Sequence, residues 1–333
     1  MYSAARLLFA RAEAALAMAV LVAVAVFAVA APHFLTAPNA VDLIEAYSVT
    51  TILAAGVFVV LVSGGIDISF AATASAAQYL AAYCATAYGF PAVAAIGVAC
   101  LLGTMLGAVN ALLTHHLRVW SIIVTIATSS IYYALLIQIT GGSEIYNLPD
   151  WWTDKIVFFR WDFGPGEFVR VTLPIVIMIA VVLMTHLIMA HSRIGRQVYA
   201  LGGNPESASR VGFNILGIQL FAYGYLGFLA GLAGFVQAHR VGQAVPTAMA
   251  GTELNVLAVA ILGGASLVGG VGTMGGVVLG VLLLAILQNG LNLMGVSSYF
   301  FDVVIGLAIL VSISLTGYAE KRRGGRVALE AIP

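Results

Sequence analysis

The hydrophobic pattern of this chain is a series of long apolar runs, without the alternation of apolar and polar residues that marks half-buried strands. A run of about 20 apolar residues is long enough to cross a bilayer as an α-helix, whereas the strands of a membrane barrel alternate. The runs lie at 14–31, 43–63, 69–88, 91–113, 119–139, 171–190, 215–238, 253–265, 274–292 and 296–316. They predict an all-α polytopic membrane protein, with about ten transmembrane helices in a single domain over residues 1–333.

Composition supports a membrane protein and excludes several other classes. Of the 333 residues, 62% are hydrophobic and 8% are charged, against about 45–50% and about 25% in soluble domains. Fourteen basic residues balance fourteen acidic ones, so the excess positive charge of a nucleic-acid-binding protein is absent. The two cysteines, Cys84 and Cys100, lie inside apolar runs and are too few for a disulfide framework or a cysteine-rich metal site. We therefore expect most of the chain to be surrounded by lipid.

Basic residues predict the orientation of the spans, because they concentrate on the cytoplasmic side. Ala28-Val29-Ala30 resembles a signal-peptide cleavage site, but the first run is long and many others follow, so we favour an uncleaved span. With the N-terminus inside and ten spans, ten of the fourteen basic residues lie inside and both termini are cytoplasmic. The inner set is Arg6, Arg11, Arg118, Arg193, Arg196, Arg210, Lys321, Arg322, Arg323 and Arg326, and the outer set is Lys155, Arg160, Arg170 and Arg240.

Two connecting loops are long. The loop at 141–170 is predicted to be periplasmic, and its three tryptophans, Trp151, Trp152 and Trp161, are expected at the membrane–water interface; docking of an external partner is the alternative. The loop at 191–214 is predicted to be cytoplasmic. Within it, Asn204 can N-cap a helix that begins at Pro205 and ends at Gly212. We therefore expect a helix of roughly seven residues on the inner surface.

Glycine pairs spaced four apart occur in three apolar runs, where they allow helix backbones to approach closely. The pairs are Gly103 and Gly107, Gly227 and Gly231, and Gly276 and Gly280. The segments Gly103-Thr-Met-Leu-Gly107 and Gly272-Thr-Met-Gly-Gly276 also resemble each other. Since they fall in the fourth and ninth runs, they suggest an inverted 5+5 repeat.

Motifs for catalysis or nucleotide binding are missing from the sequence. The two lysines do not follow glycine, so no Walker A loop exists, and neither H-E-x-x-H nor G-x-S-x-G occurs. The G-x-G-x-x-G match at 270–275 lies between two apolar runs, which indicates a tight turn rather than a dinucleotide site. We expect no catalytic residues, no metal and no cofactor in this chain.

Polar residues inside the apolar runs are candidates for helix breaks or for a solute pathway. Ser63, Gly64 and Gly65 can break the second helix, while Asp67 and Ser69 either cap the next helix or line a polar pathway. Asp302, near the start of the tenth run, can cap or face a cavity. Uncharged polar groups suit interhelical hydrogen bonds and a neutral polyhydroxy solute equally, and they include Asn110, Thr125, Thr128, Ser129, Ser130, Gln138, Gln237, Gln288, Asn289 and Asn292.

Three blocks of sequence resemble the sugar-importer permeases of the ABC superfamily, the ribose/xylose/galactofuranose type. Two departures from the family pattern are Phe70-Ala71, where the family has Val-Gly, and Asn255, where it has Asp. The blocks are Phe34-Leu35-Thr36 with SGGIDIS at 63–69, SRIGRQVYALGGNPESASRVGFNI at 192–215, and GTELNVLAVAILGGASLVGGVGT at 251–273 with QNGLNLMGVSS at 288–298.

This resemblance implies a permease subunit in the bacterial inner membrane, paired as a homodimer or as a heterodimer with a similar permease. It also implies a periplasmic sugar-binding protein and a cytoplasmic ABC ATPase that binds the ATP. The inner helix becomes the coupling helix, contacting the ATPase through Gly202, Gly203, Asn204, Pro205, Glu206, Ser207, Arg210 and Gly212. A related permease for branched-chain amino acids or nucleosides and an ion-coupled secondary carrier are the alternatives, although no chain of ionisable residues crosses the spans as in many proton-driven carriers.

Overall fold

A computed structural model describes residues 2–164 and 167–297, together with 300, 301, 303, 306 and 307. Within them the chain is mostly helical, with one small hairpin. The helices are α1 (Tyr2–Ala30), α2 (Ala37–Ala46), α3 (Ser48–Val62), α4 (Phe70–Tyr88), α5 (Ala92–Leu117), α6 (Ser121–Thr140), α7 (Asp150–Thr153), α8 (Leu173–His191), α9 (Arg193–Gly203), α10 (Pro205–Arg210), α11 (Ile215–Val241), α12 (Glu253–Leu262) and α13 (Met274–Leu293), and the strands are β1 (Val157–Gly164) and β2 (Glu167–Thr172).

Six of the described helices are long and apolar enough to cross a membrane: α1 (over Glu13–Ala30), α5, α6, α8, α11 and α13. A seventh span is formed if α2 and α3, which are bent by 47° at Tyr47, are taken together. The predicted polytopic all-α fold is confirmed. The run at 69–88 forms α4, whose hydroxyl residues, Gln78 and three tyrosines lower its mean hydropathy, and the run at 253–265 forms the ten-residue α12. Most of the tenth run, with Asp302, lies outside the described residues.

Helix α3 lies at the centre of the fold. Every one of its residues except Thr50 is buried, as expected for a helix that is apolar on all sides. It packs against α8, α11, α12 and α13, while α4 and α5 pack against α11 on another side. The buried helix therefore places its C-terminal end, at Val62, in the interior of the protein.

The predicted close approach at glycines is confirmed for all three pairs. A Cβ added to Gly103 or Gly107 of α5 would overlap the backbone of α11, at the carbonyl oxygens of Gly227 and Tyr223 respectively. The same is true of Gly231 against α5, and of Gly276 and Gly280 against α12. These pairs fix the spacing of α5 from α11 and of α13 from α12.

The two similar segments that suggested a repeat differ in local structure. Thr104 lies in the interior of α5 and bonds back to the carbonyl of Cys100, 2.7 Å. Thr273 instead precedes α13 and N-caps it, accepting from the amide of Gly276 at 3.0 Å. This similarity between the two segments therefore gives no support to an internal repeat.

The loop after α6 contains α7 and the hairpin β1–β2, which the sequence analysis missed. Trp152 is fully buried, stacks on Phe235 with ring centroids 4.6 Å apart, and donates its Nε1–H to the Phe235 carbonyl, 3.2 Å. Trp152 therefore packs on α11, and the membrane-interface position expected of the tryptophans stays a prediction. Trp161, on β1, is 71% exposed.

Candidate functional site: the α9–α10 elbow and the helix break after α3

Helices α9 and α10 form an elbow between α8 and α11. Ser192 N-caps α9 by accepting from the amide of Gly195, 3.0 Å. Asn204 ends α9 and N-caps α10, where its Oδ1 accepts from the amide of Ser207 at 2.9 Å. Pro205 is the first residue of α10, and Gly212 turns the chain at φ +82°. The predicted capped helix is confirmed, with six residues instead of about seven.

Exposure divides the eight residues predicted to contact an ATPase. Seven are exposed, and we call them the elbow surface: Gly203, Asn204, Pro205, Glu206, Ser207, Arg210 and Gly212. Glu206 and Arg210 form an ion pair at 3.6 Å, which contributes little because both side chains are solvated. Gly202 is buried, so it does not belong to this surface.

Gly202 lies against two other segments of backbone. A Cβ added to it would overlap the Val62 carbonyl at the end of α3 and would lie 2.5 Å from the amide of Gly270, in the turn between α12 and α13. A Cβ added to Gly269 in that turn would lie 2.6 Å from Gly64 Cα and 2.9 Å from Gly202 Cα. We call Gly64, Gly202, Gly269 and Gly270 the glycine junction.

Two hydrogen bonds hold the three segments of the junction together. The amide of Gly270 donates to the carbonyl of Val62, 2.8 Å, which joins the α12–α13 turn to the end of α3. The hydroxyl of Tyr199, on α9, donates to the carbonyl of Gly272, 2.8 Å. Burial raises the pKa of Tyr199 to about 12, so this hydroxyl stays protonated and remains a donor at neutral pH.

The predicted helix break at Ser63, Gly64 and Gly65 is confirmed. Helix α3 ends at Val62, and Ser63 follows with its hydroxyl bonded to the carbonyl of Val60, 2.7 Å. Gly64 has φ +86°, a conformation that glycine adopts without strain. The chain then runs as a short linker, residues 63–69, to the start of α4.

The buried Asp67 stabilises this linker. Its Oδ1 accepts from both the amide and the hydroxyl of Ser69, each at 2.7 Å, and its Oδ2 accepts from Nδ2 of Asn110 on α5, 3.3 Å. Asn110 also donates to the Ser69 hydroxyl, 2.6 Å. The predicted capping is confirmed only for Asp67, which accepts from the free amide of Ser69 at the start of α4, because the Ser69 side chain does not accept from the first turn. The carboxylate also joins the linker to α5.

Helix α6 also holds the linker. Ser121 accepts from the amide of Ile66 at 2.8 Å, and Thr125 accepts from the amide of Ile68 at 3.4 Å. The interhelical role considered for the polar residues of the spans is borne out for Asn110, which accepts from the hydroxyl of Tyr132 on α6 at 3.4 Å, whereas Thr125 bonds the linker and its own helix. The sequence analysis missed Ser121, whose only signal is a hydroxyl at the start of an apolar run.

The remaining pathway candidates lie elsewhere. Asn289 exchanges two hydrogen bonds of 3.0 Å with Asn39 on α2, and Asn292 is exposed near the end of α13. Fifteen residues of helix separate Asn289 from Met274, where α13 begins beside the junction, a distance of about 22 Å. Among the described residues, no hydrogen bond joins these asparagines to Asp67, so the predicted set does not form one hydrogen-bonded site.

Comparison with known proteins identifies the family. Residues 39–313 match the family described as branched-chain amino acid transport system / permease component. The chain belongs to this permease family. It is 35% identical to the ribose import permease protein RbsC of Escherichia coli K12 over 89% of this chain and 91% of the relative. It is 32% identical to the D-allose transport system permease protein AlsC of the same strain, over 90% and 89%, and 32% identical to the Bacillus subtilis RbsC, over 85% and 86%.

No solved structure matches the chain. Among the residues that the structure describes, no group of three or more His, Cys, Asp or Glu side chains is placed to hold a metal ion.

Proposed function

We propose that this chain is the transmembrane permease subunit of an ATP-driven importer that carries a monosaccharide across the bacterial inner membrane. The observation that carries the proposal is the similarity to ribose and allose permeases along about nine tenths of the chain. The capped elbow between α8 and α11 supports it, because it provides a short, rigid and exposed contact surface on a chain that has no nucleotide-binding motif of its own.

A separate cytoplasmic ATPase binds and hydrolyses the ATP, and this chain acts without catalytic residues, metal or cofactor. The ATPase docks on the elbow surface, where α10 offers Glu206 and Arg210 to solvent beside the capping Asn204. A periplasmic sugar-binding protein delivers the solute. Two permeases, either identical or similar, pair around the pathway.

The proposed membrane arrangement has ten spans, both termini in the cytoplasm and an inverted 5+5 repeat. The loop at 141–170 is periplasmic, and the loop at 191–214, which contains the elbow, is cytoplasmic. The distribution of basic residues supports this orientation, because ten of the fourteen then lie on the inner side. Cysteine labelling from each side of sealed vesicles tests this orientation. Labelling of a Ser207→Cys variant from the periplasmic side contradicts it.

Uptake into proteoliposomes tests the function. Vesicles containing the permease and its ATPase, with the binding protein outside and ATP inside, are expected to accumulate labelled ribose or another monosaccharide. Omitting the ATPase should abolish uptake, while ionophores should leave it unchanged. Uptake that persists without the ATPase and collapses with ionophores contradicts the proposal and favours an ion-coupled carrier.

A permease for branched-chain amino acids or nucleosides is the second candidate, favoured by the description of the matched family. Ligand screening of the partner binding protein separates the two. Binding of leucine or a nucleoside, without binding of any monosaccharide, would assign this second function.

A further inference from the structure

We propose that the glycine junction transmits movement of the elbow to the helix break after α3 and to the turn between α12 and α13, with Gly202 as its positioning residue. The inference rests on the proposed function, since it concerns how ATP hydrolysis on the partner is coupled to transport. Its basis is that Gly202, Gly64 and the pair Gly269–Gly270 meet backbone to backbone.

Where two backbones are in direct contact, a displacement of one must move the other. Side chains can change rotamer when a neighbouring helix moves, but a glycine backbone has no rotamer to change, and close-packed interiors compress little. Gly202 is separated from the exposed elbow surface by a single peptide bond, because Gly203 is already exposed. A shift of α10 is therefore expected to move Gly202 directly against the Val62 carbonyl and the Gly270 amide.

The junction connects to more of the fold than the elbow alone touches. One arm is the linker after α3, which reaches α5 through Asp67 and Asn110 and reaches α6 through Ser121. The other arm is the α12–α13 turn, bonded to Val62 and to Tyr199. A movement of Gly202 is therefore transmitted to the linker after α3 and to the α12–α13 turn at the same time. This is the arrangement needed to move two groups of helices together.

The matched pair of variants is Gly202→Ala and Gly97→Ala. Both glycines are helical, but a Cβ at Gly97 has nothing within 4 Å, whereas a Cβ at Gly202 forces the elbow away from the two turns. The complete complex of permease, ATPase and binding protein is reconstituted, and uptake and ATP hydrolysis are measured together. The quantity compared is the amount of solute moved per ATP hydrolysed, because lower folding yield alone changes both rates in parallel.

For Gly202→Ala we expect ATP hydrolysis to continue while uptake per ATP falls about tenfold, within the usual range of coupling between sites. Gly97→Ala should match the wild type. An assembled Gly202→Ala complex with the wild-type ratio overturns the inference, and so does a parallel loss of both rates, which indicates a purely structural role.

A milder variant keeps the inference testable if Gly202→Ala does not assemble. Tyr199→Phe removes only the hydroxyl that donates to Gly272, and we expect uptake per ATP to fall about threefold, the effect of one hydrogen bond. An unchanged ratio in Tyr199→Phe then overturns the inference. A wild-type complex without ATP-dependent uptake instead removes the proposed function and, with it, the role assigned to the junction.

Discussion

Two glycines of α5 provide a direct measure of the close packing between α5 and α11. Gly97 is exposed, and an added Cβ finds nothing within 4 Å. Gly103, six residues further along the same helix, faces α11, where an added Cβ would overlap the Gly227 carbonyl and lie 3.1 Å from the amide of Gly231. We therefore compare Gly97→Ala with Gly103→Ala, which are the same chemical change on one helix in opposite environments.

The two substitutions are expected to change the free energy of unfolding in opposite directions. Alanine is more favourable than glycine inside a helix by up to about 1 kcal/mol, so Gly97→Ala should stabilise the protein by about 0.5–1 kcal/mol. Gly103→Ala gains the same helix propensity but must separate two backbones, and overpacking of this kind costs about 1–3 kcal/mol. The two variants should therefore differ by about 1–3 kcal/mol, with Gly103→Ala the less stable.

Unfolding of the purified protein in mixed micelles, with an increasing fraction of denaturing detergent, measures this difference through the loss of helical circular dichroism. Retained oligomeric state by gel filtration is the control that both variants start from the same assembly. Equal shifts for Gly97→Ala and Gly103→Ala would refute the close approach of α5 and α11.

Variants at three further residues test the elbow, the α7 contact and the linker. Asn204→Ala should remove about 1 kcal/mol of capping from α10 and weaken binding of the ATPase, whereas Asn204→Asp keeps the acceptor and the affinity; equal affinities for both contradict the cap. Trp152→Phe should lower the free energy of unfolding in micelles by about 0.5–1.5 kcal/mol, because the hydrogen bond to the Phe235 carbonyl is lost. Trp152→Ala should lower it by about 3–5 kcal/mol, because the whole buried ring is removed. Asn110→Leu should destabilise the protein by about 1–3 kcal/mol, because Asp67 loses a buried donor, and wild-type stability would exclude that contact.

Local sequence signals were sufficient where a structure depends on neighbouring residues only. The elbow follows from Asn204, Pro205 and Gly212, whose capping and turning roles need no knowledge of the rest of the fold. The break after α3 follows similarly from Gly64 at positive φ. Both positions could be predicted because the hydrogen bonds that form them span no more than five residues.

Tertiary contacts explain where prediction from the sequence failed. The packing of Trp152 on α11 has no local signal, because its carbonyl partner lies 83 residues away. Asp67 precedes a helix as a cap would, yet its second carboxylate oxygen accepts from Asn110, 43 residues later. Gly202 appears in the sequence as one more residue of the elbow, and only its contact with Val62 and Gly270 separates it from the exposed surface. Such pairings depend on how the helices pack, which no local pattern encodes.

The helix break after α3 and a second break at the end of α12 have the same backbone structure although their sequences differ. In each, the amide of a glycine at positive φ, Gly64 at +86° and Gly264 at +89°, donates to the carbonyl three residues earlier, at 2.9 and 2.8 Å. The amide of the next residue donates to the carbonyl five residues earlier, at 3.1 Å in both breaks. The residue before each of these glycines, Ser63 or Gly263, has φ near −70° and does not need glycine for its conformation.

The glycine at 263 is therefore required for packing and not for the turn. A Cβ there would lie 2.6 Å from the Gly276 carbonyl on α13, while the hydroxymethyl group of Ser63 folds back onto its own helix. The positive-φ glycines, by contrast, end both helices with the same turn, and α3 and α12 each lead through it into a segment that contacts α9, directly at Gly64 and Gly269. Since both turns require glycine for conformation and Gly202 requires it for space, an elbow with any larger residue at 202 could not contact both segments at once.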